Sequence, residues 1–341
     1  MIDCLCDELR ARNGYLSDQK LETIYFGGGT PSLLSAGELD QILTCIKQLF
    51  ELSTELEMTL EANPDDITAS SLEMWKKKGI NRLSIGLQSF KAEDLKWMNR
   101  AHSVDEAENC LKLISSAGFE NVTVDLMYGL PELNEQEWKN HIQRIIDAKI
   151  PHISAYCLTV EEKTALHNWV ANNQISPTSE DLQSEQFMLL VELLEQNGYN
   201  QYEISNFSLE GFESRHNSNY WKGTYYLGIG PSAHSFNGTS RTWNVSNNHL
   251  YMKGVFSGEM NFELEELSPE NRFNEKILTG LRTSYGVNLE ELNGILDTDE
   301  NFEMRLSTFI DNGWIAREAG RIFTTREGKL RTDYLAMELF Q

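Results

Sequence analysis

The chain has 341 residues, and 52 acidic against 29 basic side chains give it a formal net charge of −23. That length points to one large α/β domain with an appendage. The charge repels phosphate backbones, which argues against nucleic acid as a partner. No apolar run approaches the roughly 20 residues that a membrane-crossing helix needs.

Asp3, Asp7 and Glu8 interrupt any signal-peptide pattern at the start of the chain. Five scattered cysteines, Cys4, Cys6, Cys45, Cys110 and Cys157, are odd in number and fit free thiols in a reducing cytoplasm. The expected localisation is therefore cytoplasmic.

The first strand-like run, Thr23-Ile24-Tyr25-Phe26, leads straight into Gly27-Gly28-Gly29-Thr30-Pro31. Three glycines cost conformational entropy and place no side chain, so they suit a backbone that turns sharply close to a ligand. A tight turn without a ligand is the plain alternative. Ser35 and Glu38 have capping-box spacing, and Leu39, Ile42, Leu43 and Ile46 then share one helical face.

Further strand-like runs lie at Leu56–Leu60, Arg82–Ile85, Val122–Met127 and Ile153–Leu158. Helical stripes separate them, one ending at Ala117-Gly118 and one carrying Trp138, Ile142 and Ile145. Strand and helix at these intervals mean parallel β-structure with crossover helices. The strands read as apolar with little alternation, as when both faces are covered. A barrel or partial barrel is favoured over an open sheet.

A long helix from Ser179 to Asn197 ends at Gly198. Residues 199–250 are rich in aromatics, asparagine and serine and read as short strands and functional loops. From Pro269 helices return, over Lys276–Thr283, Leu289–Leu296 and Met304–Asn312. A hairpin follows around Glu318-Ala319-Gly320, with a last helix from about Thr325. This end has a winged-helix pattern but no basic stripe of the kind DNA binding needs.

Polar residues cluster where strands end. Glu61 opens Glu61-Ala62-Asn63-Pro64, Gln88 closes Gly86-Leu87-Gln88, Asp125 sits in Val124-Asp125-Leu126, and Arg100 follows Gln88. In barrels, ligands sit at the carboxyl ends of the strands. Backbone amides, carboxylates, an amide and a guanidinium suit a zwitterionic ligand carrying a sugar. Each acidic residue alone could equally cap a strand end or join a surface ion pair.

Gly27-Gly28-Gly29-Thr30-Pro31-Ser32, Glu61-Ala62-Asn63-Pro64, Gly86-Leu87-Gln88-Ser89-Phe90 and Asp125-Leu126-Met127-Tyr128-Gly129-Leu130-Pro131 together resemble the radical S-adenosylmethionine family. Within it, they are similar to oxygen-independent coproporphyrinogen III oxidase and to haem chaperones of the HemW type. The resemblance continues through Tyr202-Glu203-Ile204-Ser205-Asn206-Phe207, His216-Asn217-Ser218-Asn219-Tyr220-Trp221 and Tyr226-Leu227-Gly228-Ile229-Gly230-Pro231-Ser232-Ala233-His234. The His-Asn-x-x-Tyr-Trp run points to the chaperone branch.

The resemblance implies an α/β fold: an incomplete βα barrel over residues 1–265, including the aromatic-rich strands. A smaller helical domain with a β-hairpin wing, winged-helix-like, follows over residues 266–341. It implies S-adenosylmethionine bound by Gly28, Gly29, Thr30, Glu61, Gln88, Arg100 and Asp125, with Thr159 lending backbone near the adenine. Arg100 would hold the methionine carboxylate and the glycine loop would meet the amino group.

It also implies haem, with His216 as the candidate axial ligand, although His216 could equally bond within the protein. His234 and His102 read as structural, His102 as loop architecture beside Arg100. The partners implied are haem and a recipient haemoprotein, with peripheral contact to a membrane-associated recipient. If catalytic, the chain would be an oxidoreductase acting on coproporphyrinogen, decarboxylating its propionates.

One departure is large. The family holds a [4Fe–4S] cluster on a Cys-x-x-x-Cys-x-x-Cys loop, and this chain has no such run. Cys4-Leu5-Cys6 has the wrong spacing and falls on a helix, where the two thiols point about 200° apart. The expectation is a truncated form, a misassigned start or a fragment. The full form would carry the cluster, and this chain alone would be without radical chemistry.

Overall fold

The computed structural model describes residues 1–17, 20–260 and 262–341. Every strand run expected in the first half is present. They are β1 (Lys20–Phe26), β2 (Glu51–Ala62), β3 (Arg82–Gln88), β4 (Asn121–Tyr128) and β5 (His152–Cys157). With the short β6 (Asn200–Gln201) and β7 (Asn206–Ser208) they form one sheet in the order β1-β2-β3-β4-β5-β7-β6. β2 to β5 run parallel, and β7 is antiparallel to both β5 and β6. This is the incomplete βα barrel.

The strands alternate more strictly than the sequence reading held. Met58, Leu60, Leu83, Ile85, Leu87, Val122, Val124, Leu126 and Ile153 are buried on one face. Their alternate neighbours Thr59, Arg82, Ser84, Thr123, His152 and Ser154 are buried too, but polar. In register, Glu61 lies opposite Ser84, Ser84 opposite Thr123, and Asp125 opposite Ser154. Residues two apart share a face, so one face is apolar and the other is a polar ladder. Both are buried, as the sequence reading has it, but only one is apolar.

The crossover helices start where local chemistry dictates. Helices Ala36–Leu49, Ala69–Lys78, Val104–Ser116 and Glu135–Asp147 each open on a complete capping box. Each cap contributes about 1 kcal/mol. Leu39, Leu72, Trp75, Ala107, Trp138, Ile142 and Ile145 are fully buried on them.

Contacts divide the chain into two compact units. One comprises Tyr25–Leu34 and Glu57–Glu213; the other comprises Met1–Ile24, Ser35–Leu56 and Ser214–Gln341. This cut differs from the sequence boundary at 265/266.

In the second unit, β8 (His234–Phe236), β9 (Ser240–Asn244) and β10 (Phe262–Glu266) form an antiparallel sheet in the order β10-β9-β8. Two helices, Arg215–Lys222 and Asn248–Ser257, lie in or just beyond the stretch read as strands and loops. The first is Asn- and aromatic-rich, poor helix material, yet Ser214 caps it and Gly223, at φ 71°, ends it.

Glu8 meets the Gly228-Ile229-Gly230 run in this unit. One carboxylate oxygen of Glu8 accepts from the Gly230 amide at 2.9 Å and the Tyr251 hydroxyl at 2.6 Å. The other accepts from Asn244 at 2.7 Å and Arg12 at 3.4 Å. A Cβ at Gly228 would lie 2.0 Å from the His234 carbonyl oxygen, so only glycine fits there.

The C-terminal elements follow the sequence reading closely. Helices Pro269–Leu281, Leu289–Asn293 and Glu300–Asp311 precede the hairpin of β12 (Ile315–Glu318) and β13 (Arg321–Thr324), which β11 (Val287–Asn288) joins. Ala319 and Gly320 both have positive φ, as a two-residue primed hairpin turn requires. Phe273, Ile277, Leu281, Phe302, Leu306, Ile315, Ile322 and Leu335 form the core here. The last helix is Thr332–Glu338, after a short 3₁₀ turn.

Candidate functional site

The expected strand-end residues Gly28, Gly29, Thr30, Glu61, Gln88, Arg100, Asp125 and Thr159 all belong to the unit Tyr25–Leu34 with Glu57–Glu213. The glycine loop comes close to Glu61. A Cβ at Gly27 would lie 2.5 Å from the Tyr25 ring and 2.8 Å from a Glu61 carboxylate oxygen. Gly28 has φ 84°, which favours glycine. Its amide donates to Glu61 Oε2 at 3.1 Å, while the Tyr25 hydroxyl donates to Glu61 Oε1 at 2.6 Å. Glu61 therefore ties the loop to β2, and each oxygen keeps a further lone pair for a ligand. Gly28, Gly29 and Thr30 are exposed.

Arg100 lies across the end of β3. Its Nη2 donates to Asn63 Oδ1 at 2.8 Å and to the Gly86 carbonyl at 2.9 Å. Its Nε is buried without a partner. Among the described residues no carboxylate forms an ion pair with it. A guanidinium held in place by neutral acceptors is ready for a ligand carboxylate. Gly86 makes the room, since a Cβ there would lie 3.1 Å from Arg100 Nη2 and 3.3 Å from Gln88 Nε2.

Asp125 is partly buried on the polar face. Burial pushes its carboxyl up to about 7 from the ordinary 3.8. The Ser154 hydroxyl opposes that, the Glu61 charge adds to it, and Arg82 and Arg100 lower it. Thr159 lies just past β5, exposed, with its hydroxyl on Glu161 at 3.1 Å. Gln88 has φ 68° and its side-chain amide near Arg100.

Sequence reasoning missed Tyr25 and Asn63 as partners of Glu61 and Arg100. It also missed the chain of buried groups beneath them. Arg82 donates to Thr123, Thr123 bonds His152 at 3.0 Å, and His152 bonds the Tyr202 hydroxyl at 2.8 Å. Burial and the Arg82 charge hold His152 far below the ordinary imidazole range, so it is neutral. Period-two spacing in Glu57-x-Thr59-x-Glu61 and Thr123-x-Asp125 was the available signal.

These groups fit S-adenosylmethionine: backbone amides, an uncompensated guanidinium with an orphaned Nε, an amide and carboxylates. The cysteines do not fit a cluster. Cys4, Cys6 and Cys45 are buried. The Cys6 thiol faces the Gln41 carbonyl at 3.9 Å and the Cys45 thiol faces the Cys6 carbonyl at 3.5 Å. Burial, then Cys45, raise the Cys6 thiol above its ordinary range. Among the described residues no group of three His, Cys, Asp or Glu could hold a metal ion.

His216 belongs to the other unit, on helix Arg215–Lys222. Its Nδ1 bonds Thr23 Oγ1 at 2.8 Å and its Nε2 bonds the Tyr220 hydroxyl at 3.1 Å. Tyr220 packs edge-on against Tyr226, and His234 stacks on Trp243. For Nε2 to ligate iron, the Tyr220 hydroxyl must move aside. His102 is buried on the Leu87 carbonyl, as loop architecture.

The sequence comparisons place the chain among radical SAM proteins. The sequence pattern of the radical SAM superfamily matches residues 6–145, and that of the HemN C-terminal domain matches residues 267–331. The chain is 36% identical over 273 residues to the haem chaperone HemW of Lactococcus lactis, covering 80% of this chain and 72% of that protein. It is 32% identical over 314 residues to HemW of Bacillus subtilis, covering 91% and 83%. The chain belongs to the HemW family. The coproporphyrinogen III oxidase HemN of Escherichia coli shares the fold, with a TM-score of 0.84 at 19% identity over 99% of this chain and 82% of that one. Among the described residues no helix is long and apolar enough to cross a membrane.

Proposed function

We propose that this protein binds S-adenosylmethionine at the strand-end mouth and serves as a haem chaperone that passes haem to a recipient haemoprotein. The observation that carries the ligand is Arg100, fixed by Asn63 and Gly86, with a buried Nε that no described group meets. Its guanidinium pairs with the methionine carboxylate. The Gly28–Thr30 backbone receives the amino group. Glu61, Gln88 and Asp125 serve the ribose and neighbouring polar atoms, and Thr159 lends backbone beside the adenine.

The chaperone role is supported by the names of the HemW relatives. His216 is the proposed haem ligand. A [4Fe–4S] cluster of the kind the radical SAM family holds would supply the electron that radical chemistry with S-adenosylmethionine requires. The two domains are taken as residues 1–265 and 266–341, and the setting as cytoplasmic, with peripheral contact to a membrane-associated recipient. Oxidative decarboxylation of coproporphyrinogen III remains the other class. Only the shared fold favours it, and fold does not carry function.

Calorimetry tests the ligand. Arg100→Ala removes a charge-assisted pair and should weaken S-adenosylmethionine binding by about 1.5–3 kcal/mol. Equal affinity of the variant and the parent chain would reject the assignment.

A further inference from the structure

The end of β3 is an unusual piece of backbone. Its register with β4 shifts between Ile85 and Gln88, so three steps on β3 match two on β4. Such a bulge re-aims a side chain. The Ser89 amide donates to the Leu87 carbonyl at 2.9 Å, closing a three-residue turn around Gln88 at φ 68°. A γ-turn with positive φ at its centre is rare and strained, and such strain persists only where the surroundings hold it.

Two side chains from one short segment hold it. Arg100 donates to the Gly86 carbonyl, and His102 bonds the next carbonyl, that of Leu87, at 3.1 Å. A carbonyl oxygen only accepts, so His102 Nε2 carries the proton in this bond. His102 is 3% exposed, and its Nδ1 is buried without a partner. A buried ring that leaves one nitrogen unpaired keeps a single polar contact, and that contact is the strained turn.

We propose that His102 is a positioning residue: by clamping the Leu87 carbonyl it holds the β3 bulge in the conformation that aims Gln88 and Arg100 at the same ligand. This rests on the S-adenosylmethionine reading. The Arg100-x-His102 spacing then has a reason. One residue donates to each of two successive carbonyls of the bulge, and the first also presents its charge to the ligand.

The test compares three variants of the full chain, His102→Leu, His102→Gln and Arg100→Ala. S-adenosylmethionine binding is measured by calorimetry and exchange of the Ser89 amide by hydrogen–deuterium exchange. Losing one neutral hydrogen bond corresponds to about three- to tenfold in affinity. His102→Leu should weaken binding by that factor and speed Ser89 exchange. His102→Gln keeps a donor and should restore both. If His102→Leu does not fold, His102→Phe takes its place.

Equal losses in the Leu and Gln variants would make His102 a packing residue and overturn the proposal. So would unchanged binding in His102→Leu beside a weakened Arg100→Ala. Faster Ser89 exchange in His102→Leu, with no binding by the parent chain, would support the clamp and overturn the ligand.

Discussion

Asp125→Asn should stabilise the protein above neutral pH while impairing its ligand site. Asp125 is raised to about 7 in the folded chain, chiefly by burial and then by Glu61. Its carboxyl titrates near 3.8 when free of those neighbours. Below 3.8 it is protonated in both states and costs nothing. As pH rises from 3.8 towards 7, the unfolded chain ionises first and the folded chain keeps its proton. Stability therefore falls through that window and is flat above it.

About 3 pH units at about 1.4 kcal/mol each set an upper bound of about 4 kcal/mol. An effective interior dielectric nearer 20 than 4 brings the expected value to about 2 kcal/mol. Asparagine has the shape of the protonated acid without the charge. At pH 8.5 Asp125→Asn should raise the midpoint of thermal unfolding by about 4–8 °C, using the usual conversion for a unit of this size. At pH 4 the two proteins should unfold together. S-adenosylmethionine affinity should move the other way above pH 7, because the ionised carboxylate accepts from ribose hydroxyls and the amide accepts more weakly. Scanning calorimetry from pH 4 to 9, with binding at pH 8, checks both. A stability difference of the same size at every pH would refute the electrostatic argument, because packing does not titrate.

Glu8→Ala should cost about 3–5 kcal/mol, because it takes the carboxylate from the buried Arg12 charge and the acceptor from Tyr251, the Gly230 amide and one Asn244 N–H. Glu8→Gln should cost less, and urea unfolding separates the two. At the haem candidate, Tyr220→Phe removes the hydroxyl bonded to His216 Nε2 and should tighten haem binding. His216→Ala should change the Soret spectrum, and an identical absorbance titration would remove His216 as the ligand.

The glycine loop was legible because Gly-Gly-Gly has few other uses at a strand end, and Gly27 and Gly28 are required there for two different reasons. Gly27 must lack a Cβ to admit Tyr25 and Glu61. Gly28 must reach positive φ. What sequence could not give was the partner of each charge. Asn63 stands 37 residues from Arg100, and Tyr25 stands 36 from Glu61. Each pair meets only through the sheet, so no local pattern joins them. The hairpin at Glu318-Ala319-Gly320 was legible because its turn chemistry is local. Helix Arg215–Lys222 was not, because its side chains disfavour a helix and its caps carry the signal.

The misread strands show the limit in physical terms. Hydropathy reports transfer from water, and a buried Thr59 or Ser154 looks like a break in an apolar run. Period two would have shown the alternation, because every second residue from Glu57 to Glu61 is polar and every residue between is apolar. A face that is polar and still buried needs hydrogen-bond partners. Arg82, Thr123, His152 and Tyr202 supply them across three strands and the segment beyond. That ladder leaves Asp125, near its upper end, in a setting that disfavours its charge. The raised carboxyl at the mouth therefore follows from a strand pattern, and a substitution that makes the ladder apolar should raise Asp125 further by removing the Arg82 charge.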